Sequence, residues 1–292
     1  VSGAGSVATA GSSDVSGAGS AAMAGDSSVS GAGSVATAGD SGVSGAGSAA
    51  AAGDSSTTGS SSAGNTVTAS TRFKRLELHN HTVESDGSLT CQELTEYLAA
   101  DHVDAFAITD HNTTSGQKKI EQLLEEKHYP ISLIRGMEYT TYFGHILCLN
   151  LAKYVPWNSI DQHRPELLFE ATRKKGALVG IAHPFSYGDP FARGCRFEMT
   201  ISDYSKVDFI EIFNNPEPLH EVNERGTNLW MSLIFSGYQI TATSGMDLHN
   251  RAKLAGCYAT YIEGKNGGNI ASELDTAIHT PVSYTHLRAH ET

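Results

Sequence analysis

Short apolar runs alternate with amphipathic segments from Phe73 onward. Seven of these runs are strand candidates: FKRLEL, VDAFAIT, ISLIR, HILCLNL, ALVGIA, DFIEIF and YQITA. Helical spacing is found in four further segments: CQELTEYLAA, residues 117–127, PELLFEATRKK and LHEVNERGTNLWMSLIFSG. Thr90 followed by Glu93 forms a capping box for the first of these helices. Strands that alternate with helices are typical of βαβ units, so the pattern predicts an α/β fold with a mostly parallel sheet or barrel.

The first 71 residues do not follow this pattern. They contain four repeats of fourteen residues, which begin at Val1, Val15, Val29 and Val43, and then a Ser- and Thr-rich spacer. Gly, Ala and Ser bury too little apolar area to offset the entropy of ordering the backbone. We therefore predict that residues 1–71 are disordered, either as a plain linker or as a surface stalk, and that residues 72–281 form the folded domain.

The last residues, VSYTHLRAHET at 282–292, also break the pattern. They resemble the translation of a transposon-end sequencing adapter. This resemblance implies that the tail is non-native and that the domain is truncated near Pro281, which would remove a strand or helix from its end.

The charge of the folded part is mildly acidic. The repeat region holds four aspartates and no Lys, Arg or His, so about −8 of the formal charge of −12 falls on the rest of the chain. No basic patch indicates a stable nucleic-acid partner, and no run of about 18 apolar residues predicts a membrane span. We expect a soluble protein, either cytoplasmic or exported with the repeats as a stalk. The sequence does not determine its oligomeric state.

Histidines and carboxylates recur where the predicted strands end. His79 and His81 follow FKRLEL, and both imidazoles point to one side because alternate residues of a strand share a face. An HxH pair alone is more often ordinary structure than a metal site, and Asp86 in the following turn has an Asx-turn alternative. The same placement recurs at the ends of later strands, however, at Asp110, His111, Glu138, His145, His183, Asp247 and His249.

Histidine nitrogens and carboxylate oxygens together suit borderline to hard divalent ions such as Zn²⁺, Mn²⁺ or Fe²⁺. The ligand candidates exceed what a single ion coordinates, so we predict two or three divalent ions, with Glu138 as a carboxylate that bridges two of them. A cluster of ions lowers the pKa of a bridging water and neutralises an anionic transition state. The predicted ligands are His79, His81, Asp86, His111, Glu138, His145, His183, Asp247 and His249.

The segments HNH…SDG, ITDHN, GMEYT, GHIL, AHP and SGMDLH resemble, in order and spacing, the motif set of the PHP (polymerase and histidinol phosphatase) superfamily. The resemblance spans about residues 73–281, and EYTTYFGHILCLNL further resembles the carbaryl-hydrolase-like branch. It implies a distorted seven-stranded (β/α)7 TIM-like barrel with a trinuclear metal site at the C-terminal ends of the strands.

The resemblance also implies how the ligands divide among the ions. One ion would be held by His79, His81, Glu138 and Asp247, a second by Glu138, His145 and His183, and a third by Asp86, His111 and His249. The candidates for catalysis are Glu138, Asp247, His249 and Asp110. Asp110 is expected to lie outside the ligand set and to orient His111.

The implied activity is metal-dependent hydrolysis, in which a bridging hydroxide attacks phosphorus in a phosphomonoester, a nucleotide or the end of an oligonucleotide. Arg193 and Arg196 in FARGCR are candidates for binding the phosphate, with a solvated surface role as the alternative. A rival activity is hydrolysis of a carbamate, ester or amide at the same ions, and this rival predicts an aromatic pocket without a cationic anchor. A second rival is a surface or scaffold protein with a non-catalytic metal module.

Overall fold

The structure is a computed structural model that describes residues 71–157, 161–188, 192–217, 219–254, 257–280 and 284–287. Five helices lie in these ranges: α1 (Cys91–Ala100), α2 (Ser115–Lys127), α3 (Glu166–Arg173), α4 (Glu221–Phe235) and α5 (Ile270–His279). The strands are β1 (Thr71–Glu77), β2 (Ala105–Ile108), β3 (Ser132–Thr141), β4 (Gly144–Leu149), β5 (Leu178–Ile181), β6 (Phe209–Phe213), β7 (Thr241–Ser244), β8 (Tyr258–Lys265) and β9 (Tyr284–Leu287). Two short 3₁₀ turns lie at Arg193–Cys195 and Tyr204–Lys206.

One sheet contains all these strands, in the order β7-β6-β5-β4-β3-β2-β1-β8-β9. The pairings of β1 with β2, β2 with β3, β5 with β6 and β6 with β7 are parallel, whereas β4 is antiparallel to both of its neighbours. The two sides of the sheet meet where the Thr260 hydroxyl accepts from the Ser244 amide at 2.9 Å and donates to the Ser244 carbonyl at 3.1 Å. The sheet is therefore a nearly closed barrel, and the predicted α/β barrel fold is confirmed.

Each of the seven strand candidates overlaps one of β1 to β7, although YQITA shares only Thr241 and Ala242 with β7, and each of the four helix candidates overlaps one of α1 to α4. The predicted capping box is present, because Thr90 and Glu93 cap each other's backbone at the start of α1. The structure adds β8, α5 and β9, which the strand-helix alternation did not reveal. β8 is antiparallel to β1, with Thr71 opposite Lys265, so it follows no βαβ unit and its partner lies far away in the sequence.

The barrel interior is apolar away from the C-terminal ends of the parallel strands. Leu76, Leu147 and Phe209 are almost fully buried there, and Gly180 leaves room for the Phe209 ring, which a Cβ atom at Gly180 would approach to 2.2 Å. Buried polar side chains gather instead at the opposite, C-terminal ends of the parallel strands. The fold thus holds one end of the barrel by hydrophobic packing and leaves the other for polar chemistry.

The predicted disorder of residues 1–71 falls almost entirely outside the described residues, as does most of the 282–292 tail. Within that tail, Tyr284–Leu287 is described as β9 and pairs with β8 in the antiparallel direction, with Tyr258 opposite Leu287. The adapter origin of the tail stays a prediction. Among the described residues, no helix has the length and apolar character needed to cross a membrane.

Candidate metal centre

The backbone after β1 pairs with the backbone after β7, and this pairing brings two distant motifs together. The His81 amide donates to the Leu248 carbonyl at 2.8 Å, and the Leu248 amide donates to the His79 carbonyl at 3.1 Å. Asp247 has a φ of +51°, which is uncommon for a residue with a side chain. This local backbone places the side chains of Asp247 and His249 against those of His79 and His81.

Glu138 reaches the same place from β3, and its side chain is fully buried. Its backbone is held by the chain after β2, since the Glu138 amide donates to Thr109 at 3.1 Å and its carbonyl accepts from Asn112 at 2.9 Å. β4 runs antiparallel to β3, and His145 Nδ1 lies 2.9 Å from Glu138 Oε1. His111 Nδ1 lies 2.9 Å from the other oxygen of the same carboxylate. Glu138 is therefore the centre of the cluster, as expected of a bridging carboxylate.

His183 follows β5 with a φ of +23°, which strains a residue with a side chain. Its Nδ1 lies 2.9 Å from the Cys195 carbonyl oxygen. A carbonyl oxygen can only accept, so Nδ1 donates to it, and Nε2, which lies 3.1 Å from Glu138 Oε1, is the ring nitrogen left for an ion. His249 is oriented in the same way, with Nδ1 2.9 Å from the Asp247 carbonyl oxygen.

The first group of predicted ligands fits a divalent ion. Four buried atoms of this group form no hydrogen bond: His79 Nε2, His81 Nε2, Glu138 Oε2 and Asp247 Oδ1. The measured nitrogen–oxygen separations among them are 2.8–3.4 Å. Around an ion bound at about 2.1 Å, neighbouring ligand atoms are about 3.0 Å apart in an octahedral site and about 3.4 Å apart in a tetrahedral one. Unsatisfied buried polar atoms are costly, and a bound ion satisfies all four.

The remaining ligands lie in two adjoining groups whose membership differs partly from the division implied by the resemblance. Asp86, His111 and His249 lie together as expected, and His81 also falls in this group. Glu138 and His145 group with His111, and His183 adjoins them through its 3.1 Å approach to Glu138. All nine predicted ligands are thus brought into one continuous cluster. Their roles as ligands stay a prediction.

Burial and charge oppose each other in this cluster. Burial alone raises the pKa of Glu138, but the surrounding histidines, His79 and His145 first, hold the pKa of that carboxyl well below its usual range. Burial lowers the pKa of His183, yet the hydrogen bond and charge of Glu138 outweigh it and raise that pKa to about 9. The buried carboxylates are therefore stabilised by positive charge within the cluster. Protons supply this charge, and divalent cations supply it equally well.

Asp110 lies outside the ligand groups, and its side chain contacts the segment after β1. It accepts hydrogen bonds from the Thr82 amide at 2.7 Å, the Thr82 hydroxyl at 2.9 Å and the Ser85 hydroxyl at 2.8 Å. These contacts hold the loop that carries Asp86, whose Oδ1 lies 3.3 Å from His249 Nε2. Asp110 thus holds the loop that carries Asp86, and its expected role in orienting His111 stays a prediction.

The two candidate phosphate-binding arginines lie on the turn that also orients His183. The Arg193 guanidinium lies 3.1 Å from Glu198 and 5.4 Å from the centre of the Tyr142 ring. Gly194 packs so closely that a Cβ atom there would lie 3.2 Å from His145 Nε2. Arg196 follows this turn with an exposed side chain, and its backbone forms a bridge with Phe185. The backbone of this turn therefore lies close to His145, while the Arg193 guanidinium is paired with Glu198.

Glu211, on β6, was absent from the sequence-based set of site residues. Its side chain is 2% exposed, and both of its oxygens contact His79 Nδ1. The sequence did contain a signal for Glu211, because DFIEIF places a carboxylate inside an apolar run. A charged residue in the middle of a buried strand needs a partner.

Comparison with known proteins agrees with this geometry. The family model of the PHP domain matches residues 77–218, from the end of β1 to the loop before α4. The matched range is just under half of the chain. A two-domain protein from Bacteroides vulgatus, described as containing a "predicted PHP-like metal-dependent phosphoesterase", has a similar structure, with a TM-score of 0.56 and 17% sequence identity. The match covers 74% of this chain and 65% of that one, and at this identity it bears on the fold alone.

Two curated relatives match shorter stretches. The "5'-3' exoribonuclease Rnm" of Escherichia coli (strain K12) is 34% identical over 79 residues, which is 26% of this chain and 27% of that protein. A "5'-3' exoribonuclease" of Haemophilus influenzae is 36% identical over 87 residues, or 28% of this chain and 31% of that protein. The chain therefore spans less than a third of the length of these relatives.

Proposed function

We propose that this protein is a metal-dependent phosphoesterase. The observation that carries the proposal is the set of four buried atoms of His79, His81, Glu138 and Asp247, which lack hydrogen bonds and lie at the mutual distances of ligands around one ion. A cluster this rich in histidine and carboxylate suits two or three ions such as Mn²⁺, Zn²⁺ or Fe²⁺.

When bound, such ions supply an activated hydroxide and stabilise negative charge on the reacting oxygens. The protein's own residues hold this arrangement in place. Glu138 lies between the ligand groups, and the acceptors behind His183 and His249 direct the Nε2 atoms of both imidazoles into the cluster. No serine, cysteine or threonine is required as a nucleophile in this scheme.

For the substrate, we propose a phosphate ester at the end of a nucleotide or short oligonucleotide. Two observations support this choice over a carbamate or carboxylic ester. Arg193 adjoins Gly194, which lies close to His145, and its guanidinium, paired with Glu198 in the structure, has the geometry that matches phosphate. The two relatives quoted above are named as 5'-3' exoribonucleases, although each shares only a part of its length with this chain.

The test uses the full chain loaded with Mn²⁺ or Zn²⁺ and measures phosphate or nucleotide release from nucleoside monophosphates, 5'-phosphorylated oligonucleotides, aryl esters and carbamates. We expect metal-dependent release from the phosphate esters. Glu138→Gln should lower kcat by at least about 100-fold, since it removes the charge that joins the ligand groups. Asp208→Asn is the control, because it also neutralises a buried carboxylate but lies at the opposite end of the barrel.

The other outcomes are informative as well. Turnover restricted to esters or carbamates would move the assignment to the carbaryl-hydrolase-like alternative, which rests on the segment EYTTYFGHILCLNL. No turnover by a folded, metal-loaded protein would favour the scaffold alternative. Equal rates for Glu138→Gln and the unmodified protein would refute catalysis at this cluster.

A further inference from the structure

Glu211 lies directly behind the metal centre and contacts two of its histidines from a third strand. Its Oε1 and Oε2 lie 3.1 and 3.2 Å from His79 Nδ1. Its Oε2 also accepts from the His183 backbone amide at 3.0 Å. The carboxylate therefore joins the chain after β1 to the chain after β5, although Glu211 itself is placed in none of the ligand groups.

The contact with His79 determines which ring nitrogen is available to an ion. An ionised carboxylate only accepts hydrogen bonds, so Nδ1 of His79 carries the proton and Nε2 presents its lone pair. That Nε2 atom lies 3.3 Å from Glu138 Oε2 and 3.3 Å from Asp247 Oδ1 and forms no hydrogen bond. A carboxylate behind a ligating histidine also makes the imidazole a stronger ligand.

The contact with His183 holds a strained backbone. His183 has a φ of +23°, a conformation that costs energy unless the surroundings enforce it. Two acceptors enforce it from opposite sides, Glu211 Oε2 on the backbone amide and the Cys195 carbonyl on Nδ1. Together they direct His183 Nε2 toward Glu138.

The surroundings of Glu211 are built to admit a carboxylate at this place. A Cβ atom at Gly245 would lie 2.3 Å from Glu211 Oε1 and 2.6 Å from the Cβ of His79, so only glycine leaves room for the contact. Asn214 Nδ2 donates to Glu211 Oε2 at 3.3 Å and to the Gly245 carbonyl at 3.3 Å. Glu211 is thus held in one orientation from two further directions.

We propose that Glu211 is a positioning residue of the metal centre. It fixes the Nδ1–H form of His79 and the backbone of His183, so that both imidazoles present Nε2 to the bound ions. This inference rests on the proposed metal-dependent function and extends it to a residue that would not itself touch an ion or the substrate.

The test measures Zn²⁺ and Mn²⁺ affinity directly, by competition titration of the full chain, with the unmodified protein, Glu211→Gln and the control Asp208→Asn. Glutamine keeps the size and one acceptor but removes the charge. We expect metal affinity about 10- to 100-fold lower in Glu211→Gln, the range seen when residues behind metal ligands are changed. Affinity in Asp208→Asn should stay unchanged, although it also removes a buried carboxylate from the start of the same strand.

A second variant tests the same contact without changing Glu211 itself. Gly245→Ala keeps the charge of Glu211 but crowds both its carboxylate and His79, which separates the two and should also weaken metal binding. A folded Glu211→Gln protein, judged by circular dichroism, that binds both metals as tightly as the unmodified chain would overturn the inference and leave the proposed function intact. If the unmodified chain bound neither metal, the proposed function and this inference would both fail.

Discussion

Three histidines of the cluster are oriented by acceptor atoms that are not themselves candidate ligand atoms. His79 faces the carboxylate of Glu211, and His183 faces the carbonyl of Cys195. His249 faces the carbonyl of Asp247. Each acceptor holds a proton on Nδ1, so Nε2 is the ring nitrogen that points to the cluster. The chemistry available to an imidazole here is therefore decided by the residue behind it.

The contacts of Asp110 can be tested by changing this single residue. Asp110→Ala removes the acceptor of the Thr82 amide and of two hydroxyl groups, and it leaves a buried amide unsatisfied. We expect the free energy of unfolding to fall by about 1–3 kcal/mol, measured by urea denaturation. Asp86→Asn is the control, because its side chain is 57% exposed and its change should leave stability nearly unaltered. Equal stability of Asp110→Ala and the unmodified chain would contradict the loop-holding role.

The strand β6 shows how an element without any predicted ligand still shapes the centre. Glu211 in the middle of the strand contacts His79, whereas Asp208 just before its first residue accepts from the Val179 amide at 2.8 Å. Asp208 also faces Arg173 at 3.3 Å and His279 at 3.4 Å. One carboxylate thus supports the site, and the other ties β6 to β5 and to the ends of two helices.

Asp208 gives the chain a predictable pH dependence of stability. Burial raises the pKa of its carboxyl, while the Val179 amide and the charges of Arg173 and His279 oppose the rise only in part. The folded chain then binds this proton more readily than the unfolded chain, whose carboxyl has a pKa of about 3.9. Stability from this group is therefore greatest at low pH and declines as the pH rises from about 4 toward the raised folded value.

Asp208→Asn removes this titration and keeps an oxygen that accepts from Val179. Measured by urea denaturation from about pH 4 to about pH 7, the unmodified chain should lose stability relative to the variant as the pH increases. A relative gain over that interval would show that the ion pairs outweigh burial.

At the scale of the whole molecule, the ligand candidates come from six different strands or the segments that follow them. They follow β1, β2, β5 and β7 and lie within β3 and β4. The cluster therefore exists only when the barrel is assembled, since the unfolded chain holds these side chains far apart. Metal binding and folding of the barrel must be linked for this reason.

Metal should accordingly raise the temperature of unfolding, and a chelator should lower it. An ion that binds only the folded chain, at a free concentration 100 times its Kd, adds about 2.7 kcal/mol to the free energy of unfolding. The shift is measured by differential scanning calorimetry with and without Zn²⁺, and it should be smaller in Glu138→Gln. Identical transitions with and without metal would contradict a metal centre in this barrel.

Much of the barrel and the content of its site were determined by the sequence alone. The seven strands were recognised because short apolar runs must be buried, and the nine ligand candidates because polar groups placed repeatedly after such runs lie at one end of a parallel sheet. The capping box at Thr90 was equally local. These features depend on neighbours a few residues away, which the sequence shows directly.

Only the tertiary structure decided the pairing of β8 with β1, the grouping of the ligand candidates and the contacts of Asp110 and Glu211. Each depends on contacts between residues that are distant in the chain, such as Glu211 with His79, 132 positions apart. A carboxylate in a strand has the same local signature whether it binds an ion, orients a histidine or holds a loop. These roles differ in which atom lies about 3 Å from the carboxylate, at hydrogen-bond distance. The closure of the barrel determines which atom that is.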